Sequence, residues 1–285
     1  MMIRKFVLAA FLSALLGTNA QVVFHNESDD TTRINNILID VVGRHLSTPG
    51  DAVVAFAESF LGTPYVAGTL EGDTEELRVN IDEVDCTTFA DQMIALALTA
   101  DENRSSWRDF VYNLQKIRYR DGKIDGYPSR LHYVADWAVD NVHRGILTDV
   151  TDRFPKCNYM VKTIDFMSAN RDKYPALADS ANFARMKRVE IGYRRYRFPY
   201  LKTGDISNSY VKDEFKNGDI VAFTSALPNL DVAHMGVIVI KDGEPHVIHA
   251  SSSAGKVVMS ELPIDKFLKK NRTFTGVRVF RLNRQ

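Results

Sequence analysis

Cysteine is scarce in this chain of 285 residues, which has two, Cys86 and Cys157. One disulfide is the most they can form, and composition alone does not exclude it. A surplus of either charge is also missing, since Lys and Arg total 36 and Asp and Glu total 36. That balance removes any bulk-charge argument for binding nucleic acid or a membrane surface. Long apolar runs are confined to the first residues, so nothing later reaches the roughly 20 apolar residues that span a bilayer. No internal repeat and no low-complexity tract occurs, which excludes solenoids and biased linkers. What remains is a 45% hydrophobic chain, able to bury one large core or two smaller ones.

Arg4-Lys5 precedes the apolar run at 6–16, and Thr18-Asn19-Ala20 offers a small-residue cleavage site. That order predicts a secretory signal peptide over 1–20, too short for a spanning helix. No cysteine directly follows the cleavage site, so no lipid anchor is expected. The expectation is an exported chain, periplasmic or alternatively secreted, monomeric and without stable membrane insertion.

Ile34, Ile37, Leu38, Val41 and Val42 form a helical stripe ending at Gly43, within an N-terminal helical segment over 21–48. Thr48-Pro49 with Asp51 reads as a helix start, leading Val53, Phe56, Ala57 and Phe60 along one face to a stop at Gly62. Beyond 101, helix-like segments lie around Trp107, Phe110, Val111 and Leu114 and around Leu131, Val134, Ala138 and Val142, with Pro175 starting another. From Asp219 onward the chain is strand-rich. The reading is an α+β fold: a core from 49–100 and 205–285, the second part β-rich, with a mainly helical insertion over 101–204.

Asp85-Cys86-Thr87-Thr88-Phe89 closes a polar run and opens an apolar stretch, placing a thiol at a helix N-terminus. Unpaired backbone N–H groups there favour the thiolate, the nucleophilic form. A lone cysteine on an apolar helix is more often core than catalytic. The weight comes from its company. Asp231-Val232-Ala233-His234 runs into Met235-Gly236-Val237-Ile238-Val239-Ile240, so an imidazole sits at the mouth of a strand, and His249 follows. A Cys-His pair with a third polar group is a nucleophile constellation.

Register selects the third group. Lys241-Asp242-Gly243-Glu244 separates two strand-like runs, and Asp-Gly is a strong hairpin signal. With a two-residue turn Val239 faces His246, Gly236 faces His249 and His234 faces Ser251, which puts His249 diagonal to His234 and His246 on the other face. A four-residue loop keeps this parity, whereas a three-residue loop reverses the choice.

These residues resemble the NlpC-type bacterial cell-wall cysteine peptidases, whose papain-like core carries Asp-Cys-Ser or Asp-Cys-Thr at a helix start. Gly62-Thr63-Pro64-Tyr65 looks like that superfamily's Gly-x-Pro-Tyr segment, Gly218-Asp219-Ile220-Val221 like its Gly-Asp-Ile-Val strand, and His234-Met235-Gly236-Val237 with Ile248-His249-Ala250-Ser251 like its His and third-residue strands. Gly68-Thr69-Leu70-Glu71, Asp85-Cys86-Thr87-Thr88-Phe89 and Leu230-Asp231-Val232-Ala233-His234 look like the branch named N-acetylmuramoyl-L-alanine amidase-like. Thr87-Thr88 departs from the superfamily's Ser-Gly, and the long stretch between Cys86 and His234 is a second departure, so peptidase substrate contacts do not carry over.

The resemblance implies cleavage of the amide between muramic (or anhydro-muramic) acid and L-alanine in peptidoglycan or muropeptide fragments. Cys86 is then nucleophile, His234 base and His249 orienting group, and such a pair needs neither metal nor organic cofactor. Tyr65 is a candidate second oxyanion donor beside the Cys86 N–H, and its bland reading is a packed aromatic. Asp85, Thr87 and Asp231 flank the motifs, while Arg130 offers a carboxylate-binding fork near Tyr133. For Arg130 and Tyr133 a surface arginine and a half-buried aromatic are as good a reading. Arg185, Lys187, Arg188, Arg194, Arg195 and Arg197, interleaved with aromatics, read as a solvated face, or as a contact for anionic glycan or stem-peptide carboxylates.

Three alternatives stand beside this. A stem-peptide endopeptidase has the same triad. A zinc amidase drawing on His234, His246, His249 and Asp231 is opposed by the register and by the lack of a His-Glu-x-x-His helix. A wall-binding module with a dead site is opposed by the presence of all three triad residues.

Overall fold

The structure, a computed structural model, describes residues 22–285, and the expected signal peptide lies outside the described residues. β1 (Val22–Phe24) leads into α1 (Glu27–Gly43), which buries Ile34, Leu38 and Val41 as one stripe. α2 (Pro49–Ser59) starts where Thr48 and Asp51 cap each other reciprocally and Pro49 supplies a preset first turn. β2 (Leu77–Val79) pairs in parallel with β1. α3 (Cys86–Asp101) then runs with every residue from Thr88 to Thr99 buried, so it is an interior helix rather than an amphipathic one.

α4 (Trp107–Arg118) and α5 (Val134–His143) follow, then β3 (Leu147–Asp149), β4 (Asn158–Lys162), α6 (Phe166–Ala169), α7 (Ser180–Gly192) and β5 (Tyr196–Lys202). α8 (Ser209–Lys212) precedes β6 (Ile220–Ser225), β7 (Val232–Lys241), β8 (Glu244–Ser251) and β9 (Lys256–Met259), and the chain ends with α9 (Ile264–Lys270) and β10 (Phe274–Leu282). One antiparallel sheet orders these strands β4-β5-β10-β6-β7-β8-β9, with β3 also on β10.

Residues 101–204 therefore supply three strands as well as helices, and β3 and β5 bond directly to β10. The stretch is mainly helical, and its strands extend the main sheet. Pro199 inside β5 and the flanking arginines hid this, because proline argues against a strand and a basic run reads as surface.

Phe56, Phe89 and Met93 pack on one face of the sheet against Ala222, Met235, Val237 and Ile248. Val211, Phe215, Ile264 and Leu268 pack on the other, against Val221, Phe223, Ile238 and Val247. The two halves of the chain meet backbone to backbone at Gly50 and Gly218. A Cβ on Gly218, which has φ +78°, would stand 2.2 Å from the Gly50 carbonyl oxygen, and one on Gly50 would stand 2.2 Å from that of Asn217. Only glycine allows this approach.

Candidate active site

Asp85 explains why α3 begins at Cys86. Its carboxylate accepts from the Thr87 and Thr88 N–H groups at 3.0 and 2.8 Å, and the Thr88 hydroxyl accepts from the Asp85 N–H. Asp85 and Thr87 thus build the helix start, and the Cys86 N–H stays outside the cap's bonds. The thiol meets the backbone N–H of Met235 in β7, and the Tyr65 hydroxyl lies close enough to Cys86 and Asp85 for their charges to raise its pKa after burial has done so. Burial first, then the Asp85 charge, push the Cys86 thiol up to about 11 against the opposing backbone N–H groups. The helix terminus does not win here. The resting group is the neutral thiol, contrary to the thiolate that position alone suggests.

A one-residue bulge shapes the other half. Phe223 faces His234 while Thr224 faces Val232, so Ala233 is the extra residue just before the imidazole. The hairpin beyond has the two-residue turn that Asp-Gly implies, with Lys241 opposite Glu244, Val239 opposite His246, and left-handed φ of 51° at Asp242 and 77° at Gly243. His234 Nε2 therefore meets His249 Nδ1 at 2.8 Å, with the rings nearly perpendicular.

Three aromatics close around this pair. Phe274 stacks on His234 at 9° and 6.1 Å, Phe223 lies 5.6 Å from the same ring, and Phe267 is 5.2 Å from His249. Burial drives His234 down to about 3, with His249 adding to it, and His249 down to about 4. Two neutral imidazoles share one proton between them: when His234 keeps its hydrogen on Nε2 and donates to His249 Nδ1, its own Nδ1 is free to accept.

The structure thus joins the two histidines directly on the side of Phe223, Phe267 and Phe274, whereas Cys86 packs with the cluster that holds Met235. No Cys86–His234 hydrogen bond occurs among the described residues. His246 is buried on the opposite face, its Nδ1 2.9 Å from the Ser260 carbonyl, so it does not join His234 and His249. Among the described residues no group of three or more His, Cys, Asp or Glu is placed to hold a metal ion.

Three further candidates have other occupations. Arg130 is buried and grips Glu71 at 2.7 Å, with Glu75 at 3.4 Å and the Tyr127 ring beneath it, so the carboxylates in its fork are the protein's own. Tyr133 is fully buried, donating to Glu190 at 2.9 Å and accepting from the Met167 N–H at 2.7 Å, which removes it from substrate contact. Asp231 is buried too, its carboxylate accepting from the Ala135 N–H in the first turn of α5. The basic stretch is mostly exposed, with Arg185 paired to Asp125 and Arg197 lying over Tyr159.

Sequence reasoning missed the phenylalanines around the histidines, which follow no spacing rule. It also missed Asp91, which pairs with Arg118 at 3.0 Å and accepts from Trp137 Nε1 at 3.1 Å. A carboxylate inside the apolar run of α3 was the available signal, since a buried charge requires a partner.

Comparison with known proteins adds the class. A Bacteroides uniformis N-acetylmuramoyl-L-alanine amidase is 42% identical with a TM-score of 0.79, over 83% of this chain and 100% of that one. A Bacteroides fragilis protein provisionally called a xylanase is 42% identical with a TM-score of 0.74, over 79% and 99%. A Legionella pneumophila protein of family DUF1460, 20% identical with a TM-score of 0.71 over 90% and 95%, shares the fold. Among curated proteins no match is found. The fold is thus a mixed α+β one with amidase-like structural neighbours. The chain belongs to the AmiA-like family, described as N-acetylmuramoyl-L-alanine amidase-like, which matches residues 55–276.

Proposed function

We propose that this protein is a cysteine-dependent N-acetylmuramoyl-L-alanine amidase acting on peptidoglycan or its muropeptide fragments. Two observations support the reading: the half-buried His234–His249 pair on β7 and β8, and the thiol at the start of a buried helix. Cys86 starts as a neutral thiol. Its sulfur attacks the lactyl carbonyl carbon while the proton passes to His234 Nδ1. His249, kept neutral by its surroundings, accepts from Nε2–H throughout and steadies the imidazolium. The oxyanion meets the Cys86 N–H, with Tyr65 as second donor.

Collapse breaks the carbon–nitrogen bond, and His234 returns the proton to the departing L-alanine amine. Water then attacks the thioester, giving its proton to His234, and the thiol is regenerated as the muramic acid leaves. The proposed core is papain-like and of the NlpC type, the export signal over 1–20 directs it to the periplasm, and residues 101–204 border the cleft.

Mass analysis of products from a defined muropeptide tests the reading. Free peptide beginning with L-alanine is expected, abolished by thiol alkylation and unaffected by a chelator. Cleavage deeper in the stem would make the protein an endopeptidase. Turnover that resists alkylation and stops with chelator would replace the cysteine mechanism by a metal one.

A further inference from the structure

A small cavity adjoins the start of α3. It encloses about 100 Å³ and is lined by Leu70 and Glu71, by Asp85 and Thr87 on either side of the nucleophile, and by Arg130 with Leu131. At about 30 Å³ of liquid per water molecule, that is the room of about three waters or of one group of four heavy atoms.

Its charge is unusual for a pocket built around an arginine. Arg130 faces two carboxylates, Glu71 at 2.7 Å and Glu75 at 3.4 Å, and its buried Nε has no hydrogen-bond partner. Asp91 and Arg118, which also line the cavity, cancel each other. Asp85 adds another negative charge. A substrate carboxylate here would meet like charge, which is repulsive at short range. A neutral amide meets the opposite: a guanidinium donor for its oxygen and a fixed carboxylate for its N–H.

We propose that this cavity is a specificity subsite for a neutral amide next to the scissile bond, with Glu71 accepting its N–H and Arg130 donating to its oxygen. The assignment rests on the amidase reading. Two parts of a muropeptide carry that chemistry: the acetamido group of the sugar, and the carboxyl of the second stem residue when it is amidated.

Two pairs of defined substrates separate them. One pair compares the acetamido sugar with its acetoxy analogue, which keeps the shape and lacks the N–H. The other compares amidated with free carboxyl at the second stem residue. In one pair the amide form is expected to have kcat/KM at least about tenfold higher, the scale of a hydrogen bond to a charged group. Glu71→Gln should narrow that gap, and because this side chain is 43% exposed the variant should fold. Equal rates in both pairs, or a gap unchanged by Glu71→Gln, overturns the subsite. Release of no L-alanine peptide from any of the four overturns the amidase reading, and the subsite with it.

Discussion

Cys86 stands between two buried regions that treat polarity in opposite ways. On the β7–β8 side, His234 and His249 escape the cost of burial by giving up charge, and phenylalanines complete the lining. On the helical side Asp91 and Arg118, each 3% exposed, keep their charges and cancel them in an ion pair. An imidazole titrates near neutrality, so desolvation can simply remove its proton, whereas a guanidinium cannot be deprotonated and needs a permanent partner. The region proposed to move protons is therefore built from neutral groups, and the region that holds α3, α4 and α5 together is built from fixed ions.

The comparison breaks most visibly at the proposed nucleophile and base. Cys86→Ala and His234→Ala should each lower kcat on the order of 10⁴-fold or more, measured on folded protein, because neither remaining partner can replace an absent nucleophile or base. His249→Ala should cost less, up to about 10⁴-fold, since orientation and tautomer are lost while both reacting groups remain. His246→Ala should leave the rate nearly unchanged. A rate loss at His246 exceeding that at His249 would dismantle the assignment.

The ionic side should fail in stability rather than chemistry. Asp91→Ala leaves Arg118 buried without its counter-ion and should destabilise the fold by about 3–5 kcal/mol in denaturant unfolding. Replacing both by apolar residues of similar volume should cost much less. If the single and double variants unfold alike, the pair is not what ties these helices.

Acid sharpens the contrast with the smallest effect. His234 and His249 have folded-state pKa values depressed from 6.5 to about 3 and about 4, so the stability from burying them neutral is complete above 6.5. Below 6.5 the unfolded chain binds protons the folded one refuses, and stability declines towards pH 3. Over the same range His234 stays a base, so kcat/KM measured on folded protein should cross pH 6.5 without an inflection. An acid limb centred at 6.5 would show a solvated imidazole.

Much of this was legible in residue order. The Thr48-Pro49 start, the Asp85 cap and the Asp242-Gly243 turn are local rules, and local rules survive folding. The turn also set the register that joins His249 to His234. What stayed hidden was non-local. The thiol's protonation depends on burial outweighing a helix terminus, and the fates of Arg130, Tyr133 and Asp231 depend on Glu71, Glu190 and the Ala135 N–H, all far away in sequence. The strands β3 and β5 were masked because their partner, β10, comes last in the chain.

The contact of Gly50 with Gly218 has a consequence for the order in which the protein is made. A growing chain completes the helix bearing Cys86 long before it reaches β7 and β8, so a half-synthesised molecule carries a thiol with no imidazole beside it. Two glycines without side chains let the late half seat against the early one. The proposed centre can therefore be assembled only at that docking step, once the late strands are in place.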